Sequence, residues 1–283
     1  MALTGVQLSV LLDIKTDRAF SAYFNPDKND LLKEALYKAV EMAYATLDTQ
    51  KIYDQLFKLI KNASYTPVSN QLNLLTSVTD YLHELAVQTR YTETIQTTVT
   101  AATSATPIII TLDTRTNLRN EEVDFTSAAG NTAINGTRYL KKLTDYTFAL
   151  YQDAKLTIPI SGNGTYTGGA VVKRVVRKYA KMLPPQRKID VFSRGTIYDP
   201  KYSINNGVMQ LYPTTETCTS INLDYIIIPP VLIDYQDNLV DLELTYPLRF
   251  LYTVMSECAL LMGFSSRDML LAQNSTTEII QQP

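Results

Sequence analysis

The chain has no tryptophan, a single histidine (His83) and only two cysteines (Cys218 and Cys258) in 283 residues. One histidine cannot supply a multi-histidine metal site, and the cysteines form no metal-type spacing. They fit a protein made in reducing cytosol better than a disulfide framework. No apolar run approaches the roughly 18 residues that cross a bilayer. The opening Met-Ala-Leu-Thr-Gly-Val carries no basic n-region, so no secretory leader and no membrane partner are expected. Charge is also sparse, at 19% of residues. The four Asn-x-Ser/Thr triplets, at Asn62, Asn135, Asn163 and Asn274, are chance products of a Thr-rich chain when no secretory signal accompanies them.

What is present is a 45% hydrophobic chain with nineteen tyrosines, long enough to bury a core as one or two domains. Tyrosine joins an apolar face to a polar tip, which suits wet interfaces and strands equally. The net charge of −2 hides an asymmetry. Residues 170–189 hold Lys173, Arg174, Arg177, Lys178, Lys181, Arg187 and Lys188 with no acid. Without those seven, 19 basic residues face 28 acidic ones. The stretch 202–248 then carries Glu216, Asp224, Asp234, Asp237, Asp241 and Glu243 with no Lys or Arg.

Periodicity predicts an α+β fold: N-terminal helices packed on an antiparallel β-module, then a C-terminal helix and an extended tail. Apolar residues recur at helical spacing from Leu31 to Ala43, with Asn29, Asp30 or an Asn25-Pro26 start as candidate openings. A second stripe, Ile52, Leu56, Leu59 and Ile60, follows a candidate cap at Asp48 or Thr49; two antiparallel helices or one bent helix both fit. Asp80–Tyr91 reads as a helical turn feeding a strand that alternates through Leu85, Val87, Thr89 and Tyr91. Residues 92–106 read as an extended arm or edge, Ile108–Leu112 as a short buried strand, 113–136 as mostly loop and 161–169 as a glycine-rich link. Asn206-Gly207, between Tyr202–Asn205 and Val208–Tyr212, signals a hairpin with a type I′ turn. Ile221–Ile227 alternates as a strand that ends at Pro229-Pro230. Pro247 is placed at the first position of a helix whose stripe runs from Phe250 to Met262, with Gly263 beyond its end. The domain reading is 1–91 helical into a first strand, 92–170 Thr/Gly-rich, 171–264 β-module plus helix, and 265–283 a C-terminal arm.

Chemistry finds little footing in these patterns. Asp80, His83 and Glu84 are the one trio an enzyme reading can use, and no activated nucleophile accompanies them. Neither cysteine has a neighbouring cation to lower its pKa. The glycines at 162–169 match neither a phosphate-loop nor a dinucleotide fingerprint. No catalytic, cofactor or metal residues are assigned, and no enzymatic activity is expected. The basic block has three readings: a solvated face, a nucleic-acid patch, or a subunit contact that meets the acidic stretch of a neighbouring copy. The third makes Lys173, Arg174, Arg177, Lys178, Lys181, Arg187 and Lys188, with Asp224, Asp234, Asp237, Asp241 and Glu243, the candidate interface residues.

The order of these elements carries a resemblance. The N-terminal helices, Asp80-Tyr81-Leu82-His83-Glu84-Leu85-Ala86-Val87, Asn206-Gly207-Val208-Met209-Gln210-Leu211-Tyr212-Pro213, Ile221–Pro230 and the helix at 247–262 are its parts. Together they resemble the head-to-tail connector subunits of short-tailed bacteriophages, and most of all the ring (adaptor) proteins of crAss-like phages. The segment 92–170 lies outside the resemblance. It implies a virion subunit, made in the host cytoplasm, that forms a homo-oligomeric ring, commonly twelvefold, below the portal protein. Such a ring extends the DNA channel, lets DNA pass without specific binding, and docks adjacent ring or tail proteins. The alternative reading is a protein that acts singly as a binding module for nucleic acid or carbohydrate.

Overall fold

The computed structural model describes residues 5–15, 25–46, 48–183, 195–229 and 246–262. Among these the helices are α1 (Gly5–Lys15), α2 (Asn25–Thr46), α3 (Thr49–Leu56), α4 (Leu74–Ser77) and α5 (Leu248–Leu261). The strands are β1 (Ile60–Tyr65), β2 (Gln71–Asn73), β3 (Tyr81–Ala102), β4 (Ile109–Leu112), β5 (Glu122–Thr126) and β6 (Gly136–Lys142). They continue with β7 (Thr147–Tyr151), β8 (Val171–Tyr179), β9 (Lys181–Met182), β10 (Lys201–Asn205), β11 (Val208–Tyr212) and β12 (Cys218–Ile227). The α+β class is therefore observed, with helices near both ends of the chain. The chain forms two compact units: Met1–Lys61 with Asp80–Leu85 and Asp224–Pro283, and Asn62–Thr79 with Ala86–Leu223.

The first unit is built on helices. Leu32, Ala35, Leu36, Ala39, Val40 and Ala43 form the buried stripe of α2, and Phe250, Leu251, Val254, Met255 and Cys258 form that of α5. The two stripes share one core with Leu12, Ile52, Leu56, Leu59 and Ile226, against which Leu82 and Leu85 also pack. Of the two helix arrangements open to the sequence, the chain adopts two separate helices. Asp48 caps the second by accepting from the Lys51 amide at 2.9 Å. Pro247 stands one position earlier than expected, at the N-cap, where its carbonyl accepts from the Phe250 and Leu251 amides. Gly263 and the 265–283 arm lie outside the described residues.

Tyr81–Glu84 is strand, not the expected helical turn, and Asp80 lies in the turn just before it. Asp80 accepts from Lys61 Nζ at 2.8 Å and Tyr225 Oη at 2.9 Å, while its carbonyl takes the Ile228 amide. These long-range bonds hold the backbone extended where local pattern favoured a turn of helix.

The second unit contains a closed antiparallel barrel. β3 pairs with β4, β4 with β7, β7 with β6, β6 with β5, β5 with β8, and β8 returns to β3. A six-stranded barrel is filled by its own side chains. Here the filling is Val99, Ile110, Leu112, Val123, Phe125, Leu140, Phe148, Leu150 and Val172, all buried. β3 is 22 residues long, and register shifts at Thr94/Thr98 and Val99/Ala101 bend it so that it can pair on both sides. Residues 92–102, expected within an extended arm or mobile edge, are thus barrel wall. β5 and β8 are strands that the sequence pattern did not separate from loop and charge run. β5 is only five residues long, and paired valines in β8 blur its alternation.

The hairpin forms as its turn chemistry dictates. β10 and β11 pair from Lys201↔Tyr212 to Asn205↔Val208, with Asn206 and Gly207 at φ 49° and 73°. A Cβ on Gly207 would lie 2.5 Å from Leu75 Cγ, so the positive φ and the close approach both favour glycine there. β11 also pairs with β2 and β10 with β9, which completes a four-stranded sheet.

One surface carboxylate holds a loop of the barrel in place. Asp113 accepts from the Thr97 and Thr98 hydroxyls and the Thr98 amide at 2.7–3.0 Å. These bonds, the Thr98 amide first, push its pKa well below the ordinary carboxylate range. The folded-state pKa is depressed, so the stabilisation is fully present above the unfolded value of about 3.9 and fades as pH falls toward the folded value. We expect Asp113→Asn to lower the melting temperature at pH 7, and the gap to the wild type to start closing below about pH 4 and to narrow steadily down to pH 2. Parallel melts from pH 2 to 7 check this; a constant gap across that range would refute it.

Candidate interface on the basic strand

β8 and β9 carry five of the seven candidate basic residues, and strand geometry divides them. Val172 lies in the barrel core, and Arg174 shares its face because Val123 pairs with Arg174 and Phe125 with Val172. The Arg174 guanidinium caps the interior: Nε reaches Glu121 at 2.8 Å, Nη1 reaches Glu93 at 3.1 Å and Nη2 reaches Asn117 Oδ1 at 2.6 Å. The Tyr198 hydroxyl donates to the same Glu93 at 2.7 Å. Burial opposes the charge on Arg174, but the bonds to Tyr198 and Glu121 outweigh it and move its pKa upward.

The opposite face holds a second ionic set. Arg177 makes a two-pronged pair with Glu122, both bonds at 2.8 Å. Arg90 from β3 reaches both Asp124 oxygens at 2.7 Å, and also Thr219 and Thr137 hydroxyls. Arg174 and Arg177 are thus engaged by carboxylates of their own unit. Lys181 meets Asp199 at 3.3 Å with both side chains exposed, which contributes at most about 1 kcal/mol. Lys173 and Lys178 have no ion pair among the described residues.

From Arg177 to Met182 every residue but the half-buried Ala180 is exposed, Tyr179 at 65% and Met182 at 50%. A strand normally buries at least one face, so this run offers aromatic, thioether and ammonium groups together on extended backbone. Its polar backbone is partly tied down: the Ala180 amide bonds Val87 O and the Lys181 amide bonds Pro200 O.

Other candidates fall elsewhere. Asp224, in the first unit, accepts from the Tyr53 hydroxyl at 3.2 Å. Arg187, Lys188, Asp234, Asp237, Asp241 and Glu243 lie outside the described residues. Asp80, His83 and Glu84 are held by different partners: Asp80 as above, Glu84 by the Tyr81 hydroxyl, and His83 by Glu41 at 2.8 Å with its ring stacked on Tyr44 at 4.1 Å. Both cysteines are free and buried, and burial pushes Cys218 up to about 11 and Cys258 up to about 12. Among the described residues no group of His, Cys, Asp and Glu is placed to hold a metal, and no helix is long and apolar enough to cross a membrane.

The cations are legible in the sequence, whereas Glu93 on β3, Glu122 on β5, Glu121 in the loop before β5 and the exposed pair Tyr179 and Met182 were not picked out. Only Tyr179 and Met182 left a signal, as large apolar residues inside a charge run. The site and fold define an α+β protein with one helical unit and one closed-barrel unit, bearing an exposed strand segment of mixed apolar and basic character. The sequence matches no protein-family model and no curated protein.

Proposed function

We propose that the protein is a structural subunit of a phage head-to-tail connector, a ring below the portal that extends the DNA channel and docks tail components. The observation that carries this reading is the exposed strand segment 177–182. Tyrosine and methionine are the side chains that interface cores favour, and here both project from a backbone already fixed by hydrogen bonds. A pre-ordered surface loses little entropy when a second copy covers it. Lys173 and Lys178, without an ion pair among the described residues, add positive charge that complements the acidic stretch 202–248 on an adjacent copy. Head-to-tail contact between two unlike surfaces closes into a ring, as the resemblance to crAss-like ring proteins implies. The barrel and helical units supply rigid bodies for such a wall, and the work is mechanical.

Native mass spectrometry of the purified full chain, alone and mixed with portal protein, tests the reading. A ring-sized oligomer, or one that forms on the portal, is expected. Tyr179→Asp with Met182→Lys is expected to reduce assembly at least tenfold while leaving the melting temperature of the unassembled chain unchanged, since about 3 kcal/mol of interface energy is removed. A strict monomer that ignores portal, or assembly indifferent to the double variant, would overturn it.

A further inference from the structure

We propose that the loop at 113–121 and the turn between β6 and β7 form a binding site for a phosphate-class anion, independent of the ring reading. Arg115, Arg119 and Lys142 line a cleft of about 360 Å³ over Leu118, with Thr116 and Asp145. Three cations face one carboxylate. Asp145 divides its oxygens between two of them, Oδ2 at 3.0 Å from Arg115 Nε and Oδ1 at 2.7 Å from Lys142 Nζ. It brackets these cations without exhausting their N–H groups. Arg119 has no acid within ion-pair distance among the described residues, and only its backbone amide is engaged, by Glu121. Among the described residues the Thr116 hydroxyl oxygen is buried and has no hydrogen-bond partner. An ammonium, two guanidinium groups and an orphaned hydroxyl share one need, a compact acceptor with several oxygens.

The loop is also shaped in advance. Although it has no regular secondary structure, four of its side chains anchor it. Asp113 is held by Thr97 and Thr98, and Asn117 and Glu121 by Arg174. Asn120 Oδ1 takes the Lys142 amide at 2.9 Å, which ties the loop to β6. The cations are therefore carried on fixed backbone, so binding does not have to order the loop. The ligand's shared chemistry is a phosphate group, from a free phosphate or phosphomonoester or from a nucleic-acid backbone.

The test is calorimetric titration of the full chain at constant ionic strength, first with inorganic phosphate and then with a short DNA duplex. Arg119→Glu is the informative variant, because the side chain makes no contact that folding needs; its melting temperature without phosphate should equal the wild type's. Phosphate is expected to bind the wild type, and Arg119→Glu and Lys142→Ala are each expected to weaken it about tenfold or more. If duplex competes with phosphate, the backbone is the source; if phosphate binds and duplex does not, the source is a small phosphate compound. No phosphate binding up to about 10 mM, or binding untouched by Arg119→Glu, would overturn the site.

Discussion

Replacing Arg90 with methionine is expected to cost about 3 kcal/mol of stability, among the largest effects of any single surface-facing substitution in the barrel. Arg90 lies on β3, and its guanidinium crosses to Asp124 on β5 with 2.7 Å bonds to both carboxylate oxygens. Its side chain is 13% exposed, Asp124 is 18% and Glu122, 3.8 Å from Arg90 Nε, is 10%. Charges so far from water are tolerated because they are paired. Methionine keeps the length and apolar stem but leaves Asp124, among the described residues, with the Thr137 hydroxyl as its remaining donor, at 2.7 Å. Glu122 keeps Arg177, which limits the damage to one stranded carboxylate rather than two. The double variant Arg90→Met with Asp124→Asn should recover about half of the loss, because the stranded charge is gone. Urea denaturation of the two single variants and the double gives the coupling. Strict additivity would show that the pair contributes nothing, as surface pairs often do.

Asn70→Ala is expected to destabilise by about 4 kcal/mol, from two sources that act together. Asn70 is 4% exposed, and its carboxamide serves three backbone groups: Nδ2 donates to Pro213 O at 3.0 Å and Glu216 O at 2.6 Å, and Oδ1 accepts from the Cys218 amide at 2.8 Å. Alanine leaves one buried amide and two carbonyls without this partner, at about 1–3 kcal/mol for each group that cannot find water. Asn70 also sits at φ 58°, a region that asparagine enters readily and alanine resists. Asn70→Gly separates the terms, since it relieves the backbone while still losing the carboxamide. Glycine should therefore be less damaging than alanine by about 1 kcal/mol. If alanine and glycine are equally destabilising, backbone conformation makes no contribution; if neither exceeds about 1 kcal/mol, water has replaced the side chain.

How much of this could be read beforehand depends on the range of the forces involved. Asn206-Gly207 announced its hairpin because two positive φ angles are a local demand that few residue pairs meet. The stripes of α2 and α5 were legible because one face of a helix recurs within a few turns, and Asp48 because a cap acts over three residues. β5 was missed because Val123 and Phe125 are too short an alternation to stand out, and the strand exists only through its neighbours β6 and β8. The candidate interface shows the same limit: Arg174 and Lys173 are adjacent in sequence, yet one caps the barrel interior and the other faces out.

The sequence alone determined the α+β class, the main helix stripes, the hairpin and the position of the positive charge, because each follows from contacts within about ten residues. Tertiary structure decided that the strands close into a barrel, that Arg174 and Arg177 are already paired, and that, among the described residues, Tyr179 and Met182 stand exposed while Lys173 and Lys178 have no ion pair. Those outcomes turn on which residues from distant segments share a strand face. Strand register sets that, and it is fixed only when the whole sheet closes.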